Sequence, residues 1–422
     1  MATLSFHASA VTARKIRSAA RKRGIPMSRF LRETAEQAAE GEPVSGLGRE
    51  LEKLAIDGLA FAALLVTQQA SIFLGYTLRT GAWIRDTGAA DLWVMDPQLV
   101  FTEDNKPMLE RALYQVRGVD GVDWAVPMYK GWLTVRLPDG TRVTSRLIGL
   151  DDASLVGGPP EMVSGRLEDL RRDRAVIIHA DQASDGLLLK RGLEGEGPRP
   201  LRIGDTLGVR DHGLEVVGTF RSAPEFFWDP LVYTTYSRAL QVAPPDRRMT
   251  GYVLVKCKPG TDVQTVAQRI EERTGLEART SAEFEDVTMW FVLVKTGILV
   301  NFGFTILLGF VVGALAAGQT FYMFVLDNLR HYAALKAMGA TSGTLARMVG
   351  AQLLVAAFVG YGVGLGAACL TTLAPASSGL AFEMPWQVPA LGFAAIMVCA
   401  GIAGGIALLR VLRVDPALVF KS

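Results

Sequence analysis

Four stretches of the chain contain no Asp, Glu, Lys or Arg: Gly58 to Leu78, Thr296 to Leu326, Met348 to Phe382 and Met384 to Leu409. A bilayer core about 30 Å thick is crossed by roughly 20 helical residues, and each stretch reaches that length. A charge at the bilayer centre costs at least about 2.5 kcal/mol. In a chain of 422 residues, 20% of them charged, four such gaps call for an apolar solvent. Buried core helices of a large soluble protein are the competing reading. Those helices are usually shorter and carry a polar stripe, whereas these stretches are apolar all round. The chain is therefore expected to be an integral membrane protein with four transmembrane helices.

Lys and Arg near the helix ends set the orientation. They gather before the first span (Arg49, Lys53), between the second and third (Arg330, Lys336, Arg347) and in the tail (Arg410, Arg413, Lys421). The link between spans three and four, around Pro375 to Trp386, holds only Glu383. Both termini are thus expected in the cytoplasm and residues 79–290 outside it. The first 50 residues lack the apolar core of a cleavable signal, so the first span is expected to direct insertion. Three cysteines (Cys257, Cys369 and Cys399) make no disulfide framework, and a net charge of +2 selects no class of partner.

The region outside reads as a compact α+β domain. Leu133 to Leu150 is a hairpin candidate turning at Pro138-Asp139-Gly140, where glycine tolerates positive φ. Leu201 to Leu207 and Leu214 to Phe220 form a second strand pair. Tyr252 to Lys256, a helix from Asp262 to Thr274 and a strand at Leu276 to Thr280 make a strand–helix–strand unit. Beyond the second span, Asp327 to Ala337 is expected to continue as an amphipathic helix, broken at Met338-Gly339-Ala340. Thr341 or Ser342 then caps the helix of span three. Gly360, Gly362, Gly364 and Gly366 in span three, with Gly401, Gly404 and Gly405 in span four, suit close packing against protein.

Enzyme chemistry finds little support. The sequence has no G-x-x-x-x-G-K-[S/T] phosphate loop, no H-E-x-x-H or C-x-x-C pairing among its four histidines and three cysteines, and no G-x-S-x-G. No catalytic residue, metal site or bound cofactor is expected. The amides within the spans (Gln68, Gln69, Asn301, Gln319, Gln352) read as interhelical hydrogen-bonding groups or as functional polar positions.

One span, about 200 residues outside, then three spans and a short tail resembles the FtsX/MacB-like superfamily of ABC-transporter permeases, and within it the DevC type. The likeness covers about residues 46–422. It rests on Asn328-Leu329-Arg330-His331-Tyr332-Ala333-Ala334-Leu335-Lys336-Ala337-Met338-Gly339-Ala340-Thr341, similar to the family's LKAxGA segment, and on Arg413-Val414-Asp415-Pro416-Ala417. Ala90 to Val94 and Leu201 to Leu207 look like strands of its outer domain. The resemblance implies a linker at 42–53 and spans at 54–78, 291–326, 347–372 and 386–410. It also implies an extracytoplasmic MacB-like domain at 79–290, a coupling segment at 327–346 and a tail at 411–422.

Functionally it implies a homodimer working with a separate ATPase, which binds the ATP and Mg, and with a periplasmic adaptor. Asp327, Arg330, Leu335, Lys336 and Gly339 would contact that ATPase. The implied activity is export of a lipid or similar amphiphile, powered by movement of the outer domain, in the inner membrane.

Residues 1–41 depart from that family. Their β-α-α pattern resembles a ribbon-helix-helix DNA-binding domain: Thr3, Ser5 and His7 occupy its strand's outward positions, and residues 1–32 carry eight Lys or Arg and no acid. The module could read DNA, or only pair two chains, or lie as a basic amphipathic segment on anionic lipid. A membrane-tethered regulator with a DNA-binding module, and an FtsX-like activator of an outer hydrolase, are the rival functions.

Overall fold

The computed structural model describes residues 46–104, 106–181, 187–189, 197–227, 229–244, 249–371 and 381–412. The N-terminal module, with Thr3, Ser5 and His7, lies outside them. The chain divides into two compact units: a helical one that takes the first long helix up to Leu74 and the chain from Val300, and an α+β one from Gly75 to Leu299.

In the helical unit, four helices among the described residues are long and apolar enough to cross a membrane: Lys53–Thr80, Ile298–Asp327, Ser342–Leu370 and Gln387–Gly405. They belong to α1 (Gly46–Thr80), α7 (Ile298–Asp327), α9 (Ser342–Leu370) and α10 (Gln387–Leu412), with the short α8 (Leu329–Ala337) between α7 and α9. Small residues let helix backbones approach, and α1 is approached this way by both α7 and α9. A methyl group on Gly313 would collide with Ala62, one on Gly364 with the Ala60 carbonyl, and one on Gly360 would sit 2.9 Å from Leu59 Cβ. Gly362, Gly366, Gly401 and Gly405 face open space instead. The glycine-rich run of span three thus splits by helical period into a packed face and an open one.

The α+β unit is built on the period-2 alternation of its strands. Its helices are α2 (Ala82–Thr87), α3 (Arg111–Arg117), α4 (Tyr236–Val242), α5 (Val263–Thr274) and α6 (Ser281–Lys295). Four strands, β1 (Leu92–Met95), β2 (Val122–Arg136), β11 (Tyr252–Cys257) and β12 (Glu277–Thr280), pair antiparallel in the order β12-β1-β11-β2. With α3 linking β1 to β2 and α5 linking β11 to β12, they form two interleaved split β-α-β units of the ferredoxin-like kind. Asp262 caps α5 by accepting from Thr265 N at 2.9 Å.

A second lobe is inserted between β2 and β11. It contains β3 (Arg142–Leu150), β4 (Glu161–Ser164), β5 (Ala175–His179), β6 (Leu188–Leu189), β7 (Arg199–Pro200), β8 (Thr206–Val209), β9 (His212–Arg221) and β10 (Leu231–Thr235). The far half of the 15-residue β2 pairs with β3, then the order runs β10, β5, β9 and β8. β8 meets β2 again at Arg136–Gly208, closing a six-stranded barrel. The β2–β3 hairpin turns at Gly140, φ +84°. Of the second expected strand pair, Leu201 to Asp205 is not strand; a turn at Gly204 (φ +93°) delays β8 until Thr206.

The strands bury both faces. Val176, Ile178 and Val232 fill the barrel, while Ile177, Leu231 and Tyr233 point into a central core shared by the two lobes. Trp93, Met95, Tyr252 and Leu254 enter the same core from the ferredoxin-like sheet, and Leu92, Val94, Val253 and Val255 pack under α3 and α5. Trp83 of α2 and Phe284 of α6 complete the aromatic centre, 5.0 and 5.5 Å from the Trp93 ring.

Candidate functional site: the segment joining the second and third long helices

Asp327 to Ala337 is not one continued helix. Asn328 (φ −91°, ψ 7°) interrupts it, and its Nδ2 donates to the Phe324 carbonyl at 2.9 Å. The backbone bonds of a helix still cross it, Asn328 N donating to Phe324 O at 3.1 Å and Tyr332 N to Asn328 O at 3.0 Å, and α8 begins at Leu329 after this one-residue departure from helical dihedrals. It ends at Gly339, whose φ of +104° only glycine adopts freely. There Ala340 N donates to Leu335 O at 3.0 Å and Gly339 N to Lys336 O at 3.2 Å, satisfying the last carbonyls of α8. Thr341 caps α9, its hydroxyl accepting from Thr344 N at 3.2 Å. The segment is thus a one-helix elbow with defined stops at both ends.

One face of the elbow is anchored. Tyr332 and Ala333 are buried, and Leu335 is half-buried, in a cluster with Val325, Leu345 and Val349. Burial also raises the Tyr332 phenol above its ordinary pKa. The other face is open: Asp327, His331, Met338 and Gly339 are exposed, and Lys336 is half-buried.

Five residues were expected to meet a partner. Asp327 and Gly339 are on the open surface, Lys336 is partly so, and Leu335 packs inward. The Arg330 side chain lies outside the described residues. His331 and Met338 were not singled out. Met338 leaves 51% of its surface exposed at the tip of the elbow, and a large apolar side chain beside a helix-ending glycine was the signal available for it. Among the described residues no group of His, Cys, Asp and Glu could hold a metal ion.

A bundle of long apolar helices with an elbow of this kind, and a two-lobed α+β unit between its first and second members in the chain, defines a multi-pass membrane protein. The family model of the MacB-like periplasmic core domain matches residues 54–273, just over half of the chain. The FtsX-like permease C-terminal model matches residues 302–416, which include the elbow. The chain belongs to the MacB/FtsX-like family of ABC-transporter permeases.

Solved structures similar to it include the extracellular domain of the ABC-type transporter YknZ from Gram-positive bacteria. That likeness has 16% identity, 45% of this chain, 98% of that one and a TM-score of 0.31. For the periplasmic region of MacB from Actinobacillus actinomycetemcomitans the values are 12% identity, 48%, 94% and 0.34. No curated protein matches the chain.

Proposed function

We propose that this permease subunit is a mechanical coupler. It pairs with a second copy and receives a separate ATPase on the open face of its elbow. ATP and Mg are bound by that partner, and nucleotide-driven movement passes through the helical unit to the α+β domain outside the membrane. Both termini lie in the cytoplasm and the membrane is the cell's inner one, as the Lys and Arg distribution favours. The cargo is a lipid or similar amphiphile exported through a periplasmic adaptor; the DevC resemblance supports this part.

The observation that carries the reading is the two-faced elbow. Its inner face is fixed in the helical core by Tyr332 and Ala333, so a force on Asp327, His331 and Met338 is delivered to α7 and α9 instead of being absorbed in a loose loop. An exposed Met suits an apolar socket on a partner, since its unbranched side chain adapts to irregular surfaces.

Affinity purification from detergent-solubilised native membranes, with the co-purifying proteins identified by mass spectrometry, tests this. A stoichiometric ATPase is expected with the parent chain. It should be lost from M338D and from D327K/H331E, while both variants remain membrane-inserted and monodisperse. Leu335 is left unchanged because it packs inward. Recovery of the chain with regulatory proteins or DNA and no ATPase would overturn the reading.

A further inference from the structure

The α+β unit buries four charged side chains together. Lys130 Nζ lies 2.8 Å from Glu103 and 2.9 Å from Glu225, and Arg146 is 3.0 Å from Glu103 and also pairs with Glu225. Lys130 and Arg146 are 1% exposed, Glu103 8% and Glu225 6%. The four belong to four different places: Lys130 to β2, Arg146 to β3, Glu103 to the loop after β1, and Glu225 to the strap between β9 and β10. Burial disfavours the Glu103 carboxylate, yet Lys130 and Arg146 hold its pKa below the ordinary value. Burial likewise disfavours the charged Arg146 guanidinium, yet Glu225, Glu103 and Asp229 raise its pKa above the ordinary value.

The two loops that bring the carboxylates also touch the two chain segments leading to the spans. On the strap, Phe226 meets Tyr76, at the end of α1, with ring centroids 5.8 Å apart. On the other loop, Phe101 stacks on Phe291 of α6 at 4.6 Å. The strap has further fixings. Arg146 donates to the Phe227 carbonyl, Asp86 of α2 accepts from Ala223 N at 2.9 Å, and Ser222 N donates to the His179 ring at 3.3 Å. Lys130 lies 4.0 Å above the Trp83 ring of α2, and Arg85 pairs with Glu285, joining α2 to α6.

A buried ion-pair network is weak evidence of stability. It does resist shear: an apolar contact can slide and re-pack, but a buried charge that slides loses its partner. We propose that Glu103, Lys130, Arg146 and Glu225 form a rigid joint that hands displacement of both stems to the barrel. Phe226 and Glu225 take up the movement of the α1 end, Phe101 and Glu103 that of α6, and Lys130 and Arg146 pass it into β2 and β3. The proposal rests on the mechanical-coupling reading above and adds the route of the movement.

The test uses the full chain with its co-purified ATPase in lipid nanodiscs, with Cys257, Cys369 and Cys399 replaced by alanine. A spin label goes on Ile203→Cys, an exposed position in the barrel lobe, so that the distance between the two barrels of the paired copies reports how far each barrel is carried. That distance is measured without nucleotide and with ATP trapped. The parent is expected to show a nucleotide-dependent shift. In E225Q that shift should fall to less than half while ATP hydrolysis persists, and F226A and F101A should each reduce it. If E225Q fails to fold, the two aromatic variants, which leave the charges in place, decide the matter.

An undiminished shift in the variants that fold overturns the joint. A parent that hydrolyses ATP with no shift also overturns it, since there is then no movement to carry. Absence of any ATPase is a different result: it removes the coupling reading itself, and the joint falls with it.

Discussion

At the scale of single residues, the buried charges matter to the α+β unit most when one of them is removed, because its partner is then left buried and uncompensated. Lys130→Met leaves Glu103 and Glu225 sharing one cation, and removing one partner of a buried pair costs about 3–5 kcal/mol. A marked drop in unfolding temperature in detergent is expected, with K130M/E225L recovering much of it; an unchanged K130M would contradict the network's role. Because the folded-state pKa of Glu103 is depressed, its contribution is present above its ordinary value of 4.5 and is lost as pH falls through the folded value. Asp205, held low by its hydrogen bonds from Arg199, and Glu283, held low by the Thr280 N–H, act in the same direction. The unfolding temperature should therefore decline as pH drops below about 4.5, the ordinary glutamate range. E103Q, though less stable overall, should decline less steeply across the same interval. A slope identical to the parent's would remove Glu103 from the account.

At the scale of elements, the glycines of α9 offer a matched comparison. Gly364 meets the Ala60 carbonyl of α1, while Gly362, half a turn away, faces open space. Overpacking costs about 1–3 kcal/mol. G364A should lose monodispersity on mild heating in detergent, and G362A should behave as the parent does. Equal behaviour of the two would mean that α9 does not approach α1 through this face. The elbow depends on its stops in a similar way. Thr341→Ala removes the acceptor for Thr344 N, a loss of about 1 kcal/mol for a helix cap. Faster hydrogen exchange is expected over residues 342–346, and an unchanged rate there would show that the cap is redundant.

At the scale of the whole molecule, the family assignment and the coupling proposal concern residues from 46 onward, and residues 1–41 stand apart. A chain lacking 1–41 is expected to insert in the membrane and retain its ATPase. Loss of the ATPase from that truncation would place the N-terminal segment inside the coupling machinery. Purified parent and truncated chains, compared for retention on duplex DNA at low and high salt, would separate a DNA-reading module from a plain basic segment. Phosphate-dominated affinity falls steeply with salt.

What the sequence determined by itself is what depends on neighbours in the chain. A charge-free run long enough for a bilayer is a local property, and so are the turn at Gly140, the helix stop at Gly339 and the cap at Thr341. The elbow was legible for the same reason, although its interruption at Asn328 was not, because the residues around it keep a helical pattern and the helical backbone bonds still cross it. The tertiary structure alone decided which face of each element is used. It turned Leu335 inward and left Met338 out, and it sent Gly360 and Gly364 toward α1 and Gly362 away. It also assembled Glu103, Lys130, Arg146 and Glu225, whose pairs are 27 to 95 residues apart along the chain. In sequence such residues read as solvated surface, since an isolated charge is costly to bury. Only closing the barrel and laying the strap across it brings the opposite charges close enough to offset that cost.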